Sequence, residues 1–334
     1  GKRKKSSRLQ TDMDKFNLSE HKLAWGADYK RSFSPSAYLS SYFGPLGKSD
    51  GQGEQDVAYF ILHCLHEAYN SGEPTPCVPP PGAVKGSRLL DVGTGPSLYQ
   101  LFSACEKFSE IVLAEFSEEN HQELHRWLSK DPHSHDWSSY LQYSCKLEGH
   151  RCKCKLHKPE TQYSFTIIAE LHDFELLLSN SWDIDLAALP SHYSCEEEKA
   201  EKLRNAIKKI IPCDVTLPNP LHPEVLPKFN VVQSSFCLEC ASSDETSFRG
   251  ALQALRSLLL PSGHFVLIGA LGQSFYKVGS VLFSALPMSE QFVRDSVQGA
   301  GFSIQTFKTL ARPKDLEEDV TDVTSFFFLI ADKV

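Results

Sequence analysis

No stretch of this sequence stays apolar for the ~20 residues that a membrane-crossing helix requires. No secretory-signal pattern is visible from Gly1 onward, so the cytoplasm is the expected compartment and no membrane the expected setting. Positive charge is in short supply. The 34 Lys and Arg residues face 42 Asp and Glu, and the net charge of −8 argues against nucleic acid as an obligate partner. The basic cluster Lys2-Arg3-Lys4-Lys5 is local and reads as a solvated tail. The ten cysteines follow no regular framework, and several lie inside apolar runs, which suits free thiols in a reducing compartment. Cys237-Leu238-Glu239-Cys240 is a C-x-x-C with no second ligand pair nearby. Cys152-Lys153-Cys154, with His150 and His157 beside it, stands in a polar loop, and no metal site is expected from either. No internal repeat is present.

Two nucleotide signatures are also missing. There is no G-x-x-x-x-G-K-[ST] phosphate loop, and the third glycine of a G-x-G-x-x-G dinucleotide fingerprint is replaced by Leu98. Pro96 follows the second glycine and has no amide to offer a pyrophosphate. What remains is the run Leu89-Leu90-Asp91-Val92-Gly93-Thr94-Gly95-Pro96-Ser97-Leu98-Tyr99: a buried strand, a glycine turn and a helix start. Gly93 and Gly95 let the backbone turn tightly beside a ligand, and amides of the turn and helix start are expected to face it. Glu115, at the end of the next apolar run, can accept hydrogen bonds from a ribose. A ligand with a ribose and no phosphate fits this set, and S-adenosyl-L-methionine is the common one.

The 334 residues, 41% apolar, are ample for one large domain with an insertion. Residues 1–27 read as a flexible tail and 28–334 as the domain, with 28–86 as an N-terminal helical cap. Apolar residues at helical spacing predict a helix over 56–69, and a proline-rich linker follows from Gly72 to Gly86. Strands are predicted over 88–92, 110–115, 209–213, 230–235, 264–270, 302–309 and 325–330. Helices are predicted over 97–107, 118–129 (capped by Ser117), 198–208, 244–259 and 289–300. This alternation is that of an α/β, doubly wound, mostly parallel seven-stranded sheet, its last two strands an antiparallel edge pair. Residues 150–197 break the rhythm. Within them Tyr163–Leu171 reads as an added strand or hairpin and Phe174–Leu178 as helix or strand.

The chain resembles the small-molecule amine N-methyltransferases that include nicotinamide, phenylethanolamine and indolethylamine N-methyltransferase. The resemblance runs from about Asp28 to Val334, apart from 150–197, which is atypical of that family. It is carried by Tyr29, Phe33-Ser34-Pro35-Ser36-Ala37-Tyr38-Leu39, Asp91 through Leu101, Trp127-Leu128, Trp137-Ser138, Cys213-Asp214-Val215 and Phe236-Cys237-Leu238-Glu239. It implies a class I methyltransferase-like fold and S-adenosyl-L-methionine as cofactor, with S-adenosyl-L-homocysteine as product. It also implies cofactor-binding roles. Tyr29 and Tyr38 would close over the methionine end and the substrate. Gly93, Thr94, Gly95 and Tyr99 would line the methionine part, and Glu115 would hold the ribose. Phe116, Asp214 and Val215 would meet the adenine, with Asn120 and Ser235 beside the cofactor.

On the substrate side the resemblance implies two catalytic acids, Glu239 and Asp322, that also bind the amine, joined by Tyr38, Tyr276 and Gln273. Gln273 stands where the phenylethanolamine enzyme has a glutamate, and Gly269 where the nicotinamide enzyme has an aspartate. The expected function is therefore methyl transfer to the nitrogen of a small aromatic or heteroaromatic amine by a monomeric enzyme. The alternative is a binding or regulatory protein that keeps the fold with little or no turnover. A nicotinamide-nucleotide dehydrogenase is disfavoured by Pro96 and Leu98.

Overall fold

The computed structural model describes residues 23–46, 56–70, 84–149, 194–314 and 316–334. The basic cluster, most of the proline-rich linker, the C-x-C with its histidines, and the expectations for 150–193 lie outside the described residues.

Helices α1 (Ala27–Ser32), α2 (Pro35–Tyr42) and α3 (Val57–Asn70) precede the sheet. Then come β1 (Arg88–Val92), β2 (Glu110–Glu115), α4 (Glu118–Leu128), α5 (Ser138–Leu147), α6 (Cys195–Ala206), β3 (Ile207–Pro212), β4 (Phe229–Ser235), α7 (Leu238–Ala241) and α8 (Glu245–Ser257). The chain continues through β5 (Leu259–Leu271), a hairpin of β6 (Phe275–Val278) and β7 (Val281–Ser284), α9 (Glu290–Gly299), β8 (Phe302–Ala311) and β9 (Ser325–Lys333). The main sheet has seven strands in the order β3-β2-β1-β4-β5-β9-β8. The first five pair in parallel, while β9 runs antiparallel to both β5 and β8. The seven predicted strands and the antiparallel pair at one edge are all present.

Alternation along β1 shows how the sheet divides the core. Leu89 packs with Leu62, Leu65, Tyr140 and Leu203 of α3, α5 and α6. Leu90 and Val92 point the other way, onto Phe248, Leu252, Val293 and Val297 of α8 and α9. Asp91 faces the first side and is buried there. Gln233 and Gln100 donate to it at 2.9 and 3.2 Å, and the Tyr69 hydroxyl donates to Gln233 at 2.5 Å. This network joins α3, β1 and β4 directly beneath the glycine turn. Burial pushes Asp91 up to about 6.

Four local expectations are corrected. Residues 97–107 form two short 3-10 turns, Tyr99–Leu101 and Ala104–Glu106, rather than an α-helix. The Gln100 amide donates to the carbonyls of Thr94 and Ser97 at 3.3 and 3.0 Å, taking up acceptors that a regular helix would use. Ser117 precedes α4 without a side-chain cap, because its hydroxyl donates to Glu119 at 2.7 Å. The tail boundary moves back: Ala24 bridges to Phe283, and its amide donates to Leu282 at 2.9 Å. At 194–197, Ser194 caps α6 through a reciprocal pair with Glu197, so these residues begin a helix. Helix α5 and the β6–β7 hairpin went unread in the sequence. The buried face of α5 (Trp137, Tyr140, Leu141, Ser144, Cys145) carries a helical period that could have revealed it.

Candidate active site

A cavity of about 1320 Å³ opens where the parallel strands end at their carboxyl edge. Pockets for single drug-sized ligands span roughly 300–1,000 Å³, so this cavity exceeds the space that one such ligand needs. The turn after β1 supplies Gly93 to Ser97, the end of β2 supplies Glu115 and Phe116, and the turn after β3 supplies Cys213 to Thr216. Further along the sheet order come Ser235, Phe236, Cys237 and Cys240, then Gln273 and Tyr276, then Thr321 and Phe326. The stretch from Trp25 to Leu46 roofs it with Tyr29, Phe33, Tyr38 and Tyr42.

The glycine turn is built for tight passage. Gly93 and Gly95 have φ of +67° and +63°, conformations that other residues seldom adopt. A β-carbon on Gly93 would lie 2.1 Å from the Cys237 sulfur, while Gly95 has open space on that side. Three amides of this turn are taken up within the fold rather than turned to a ligand, contrary to expectation. Those of Gly93 and Thr94 donate to Ala114 O at 2.7 and 3.4 Å, and that of Gly95 donates to Glu115 Oε2 at 2.8 Å. With Pro96 next and Leu98 packed in the core, nothing here forms a pyrophosphate cradle.

Glu115 organises this half of the cavity. Its Oε1 accepts from the Ser117 amide and from Asn120 Nδ2, both at 2.9 Å. A carboxylate has about four acceptor positions, so Oε2 keeps capacity beyond the Gly95 bond. Asn120 does not reach the cavity wall. It stands behind Glu115 and donates to the Tyr29 hydroxyl at 3.4 Å. Asp214 Oδ1 accepts from the amide and hydroxyl of Thr216 at 3.0 and 2.6 Å, which fixes the turn carrying Val215. Lys30 lies 3.7 Å from the centre of the Phe116 ring. The Ser235 hydroxyl is buried in the cavity wall with no hydrogen-bond partner.

The other half is aromatic. The backbone of Phe236 sits in the left-handed region at φ +51°, a strain of about 1–3 kcal/mol for such a residue. Its ring meets Phe326 edge-on at 6.0 Å, and Val57 and Leu316 pack against the same cluster. Gln273 Nε2 donates to the Thr321 hydroxyl at 2.8 Å. Tyr38 packs against Phe33 at 5.2 Å and Tyr42 at 5.1 Å, and Tyr276 stacks on Phe283 at 5.3 Å. Burial raises the phenols of Tyr29, Tyr38, Tyr99 and Tyr276, so all four are protonated hydrogen-bond donors at neutral pH. Sequence reasoning gave no site role to Phe236, Phe326, Tyr42, Thr321 or Cys240. A backbone outlier and a convergence of distant elements leave no local signal.

Neither predicted acid is part of the cavity wall. Asp322 accepts from the amides of Ser274 and Phe275 at 2.8 and 3.3 Å and from the Ser274 hydroxyl at 2.5 Å, which pins the segment carrying Gln273 and Tyr276. Glu239 is buried. Its Oε1 accepts from the Ala270 amide at 3.0 Å, and its Oε2 has no hydrogen-bond partner. Burial pushes its carboxyl up to about 7. Among the described residues no group of three or more His, Cys, Asp or Glu could hold a metal ion, and no helix is long and apolar enough to cross a membrane.

Known proteins share this arrangement's sequence. The chain is 34% identical over 309 residues to phenylethanolamine N-methyltransferase of Homo sapiens, covering 92% of this chain and 90% of the relative. It is 33% identical over 306 residues to nicotinamide N-methyltransferase of Homo sapiens, covering 92% and 95%. It is 32% identical over 308 residues to indolethylamine N-methyltransferase of Oryctolagus cuniculus, covering 92% and 96%. The profile of the NNMT/PNMT/TEMT family matches residues 20–181 and 182–334, and the chain belongs to that family.

Proposed function

We propose that this protein is an N-methyltransferase that uses S-adenosyl-L-methionine to methylate the nitrogen of a small aromatic or heteroaromatic amine. When bound, the cofactor supplies a methyl group on a sulfonium and leaves as S-adenosyl-L-homocysteine. The observation that carries the reading is one cavity larger than a single ligand needs, with a carboxylate at a phosphate-free glycine turn and an aromatic chamber beside it. The residues fit the cofactor: Glu115 retains acceptor capacity for a ribose, and the unpartnered Ser235 hydroxyl awaits a polar group. Phe116, Asp214 and Val215 would hold the adenine, and Tyr29, Tyr38, Thr94 and Tyr99 the methionine end.

In this reading the chain's main contribution is alignment. Positioning of donor and acceptor can supply roughly 7–11 kcal/mol of a barrier. Phe236 and Phe326 would hold the flat acceptor, Gln273 and Thr321 would bond its polar group, and Tyr38 and Tyr276 would close the remaining sides. Asp322 keeps Gln273 and Tyr276 in place. The phenols are poor bases, so an acceptor nitrogen that already carries a free lone pair suits the chamber best. Glu239, with its carboxyl pushed up to about 7, is the acid nearest to exchanging a proton at neutral pH. The working unit is taken to be a single chain in the cytoplasm, acting on small molecules rather than nucleic acid.

The placement of Glu239 and Asp322 off the cavity wall favours one second reading, a binding protein without turnover. Incubation with S-adenosyl-L-methionine and a panel of pyridines, azoles and arylalkylamines separates the two. A methylated product whose formation fails in Glu115→Ala supports the enzyme. Cofactor binding without product from any acceptor supports the binder.

A further inference from the structure

The C-x-x-C formed by Cys237 and Cys240 has no part in the reading above, yet both cysteines line the cavity. Neither Cys237 nor Cys240 is in a disulfide. Cys237 precedes the short helix α7, and the Cys240 amide donates to the Cys237 carbonyl at 3.1 Å. Such a turn keeps the two α-carbons within about 7 Å, overlapping the roughly 4.4–6.8 Å span of disulfides. The intervening Leu238 and Glu239 are buried, whereas Cys237 and Cys240 are each partly accessible. The two thiols therefore share the cavity side of the turn.

Each sulfur also holds a separate part of the site. The Cys237 sulfur fills the hollow beside Gly93, where a β-carbon would come within 2.1 Å of it. The Cys240 thiol neighbours the Tyr276 hydroxyl in the cavity wall, each influencing the other's ionisation. The Tyr276 ring stacks on Phe283, which meets Tyr29 of the roof edge-on at 5.7 Å. A bond between the sulfurs would draw one away from the glycine turn and the other away from the roof.

We propose that Cys237 and Cys240 form a reversible disulfide that weakens cofactor binding, with a peroxide as the oxidant. Two S–H bonds break and one S–S bond forms. The sulfurs give up two electrons to the peroxide, whose O–O bond is cleaved, and both protons leave in two molecules of water. A dithiol reverses the step by thiol–disulfide exchange. Burial raises both thiols well above their ordinary range, which makes the reaction slow rather than absent.

Trypsin offers a direct test. Lys228 and Arg249 bound the peptide Phe229–Arg249, which contains Cys237 and Cys240 and no other cysteine. The full chain is exposed to hydrogen peroxide until thiol loss reaches a plateau, alkylated and digested without reductant, and its affinity for S-adenosyl-L-methionine is measured before and after. The expected peptide is lighter by two hydrogens and resists alkylation until dithiothreitol is added. Affinity is expected to fall by about 5- to 150-fold, the usual span of coupling between two sites. Cys240→Ser should lose this sensitivity to peroxide. The proposal is overturned if that peptide stays alkylatable while other cysteines oxidise, or if the disulfide forms and affinity is unchanged. Should the reduced chain bind no cofactor, the methyltransferase reading and the affinity effect fall together, while the peptide mass still decides whether the bond forms.

Discussion

The Glu239 carboxyl occupies the space that a side chain at Gly269 would need. A β-carbon on Gly269 would stand 2.9 Å from Glu239 Oε1 and 2.8 Å from the Phe327 ring. The absence of an aspartate at 269 and the presence of an acid at 239 are thus one packing arrangement. Gly269→Asp should destabilise the fold by about 2–4 kcal/mol through overpacking and the approach of two buried carboxyls. Denaturant unfolding of Gly269→Asp, Glu239→Ala and the double variant would check it. The double variant should be more stable than the sum of the single losses predicts, and strict additivity would rule the coupling out.

Glu239 also makes stability depend on pH. Its ordinary value is 4.5, and burial lifts it to about 7 in the fold. Between these values the folded chain holds a proton that the unfolded chain has released. Stability therefore falls as pH rises through this window, with the loss complete above about 7. Asp91, raised from 3.8 to about 6, adds a drop in the same direction at slightly lower pH. Glu239→Gln cannot ionise. It should match the parent near pH 4.5 and exceed it by about 1–3 kcal/mol at pH 8.5. Thermal melts of both chains across that range would show it, and parallel pH profiles would refute it.

Glu115 is expected to matter more for the ligand than for the fold. Glu115→Gln puts an amide donor either against Gly95 N or against both Ser117 N and Asn120 Nδ2. A lost hydrogen bond to a charged group costs about 1.5–3 kcal/mol. S-adenosyl-L-methionine affinity, read by calorimetry, should drop by about tenfold or more, since each 1.4 kcal/mol is a factor of ten. An unchanged dissociation constant would remove Glu115 from the cofactor site.

Gln273→Glu should change which acceptors are preferred. Gln273 lines the cavity and presents a neutral amide bonded to Thr321. A carboxylate there would attract an ammonium. The ratio of kcat/KM for an arylalkylamine to that for an uncharged pyridine should rise by about 5-fold or more, equivalent to roughly 1 kcal/mol. A ratio that stays put would show that Gln273 does not meet the acceptor nitrogen.

Lys199 tests the frame rather than the site. It is buried and bonds Glu148 and Glu106 at 2.8 and 2.9 Å, joining α6 to α5 and to the turn at 104–106. Lys199→Met removes the buried cation between Glu148 and Glu106, of which Glu106 keeps its pair with Lys202, and should cost about 3–5 kcal/mol in denaturant unfolding. A loss below 1 kcal/mol would mean that the pair is well solvated.

Strands and most helices were legible in the sequence because burial follows periodicity. Leu89, Leu90 and Val92 distribute over the two faces of the sheet, and Val293 and Val297 fall at helical spacing. The glycine turn and Glu115 were legible because they are close in sequence and their conformational demands are local. The failures have a common cause. The 3-10 turns at 99–106 arise from Gln100 reaching back to carbonyls, and the capping failure of Ser117 arises from Glu119. In both places a side-chain hydrogen bond overrides a local propensity.

The sequence alone determined the α/β alternation, the absence of a phosphate cradle, and the residue types available at the carboxyl edge of the sheet, because these depend on spacing and chemical identity. Only the tertiary structure decided what those residues face. It turned the Gly95 amide to Glu115, withdrew Glu239 and Asp322 from the cavity wall, forced Phe236 into a strained backbone beside Phe326, and brought two thiols to one side of a turn. Those outcomes depend on competition among distant groups for the same space and the same hydrogen bonds, which no local pattern records.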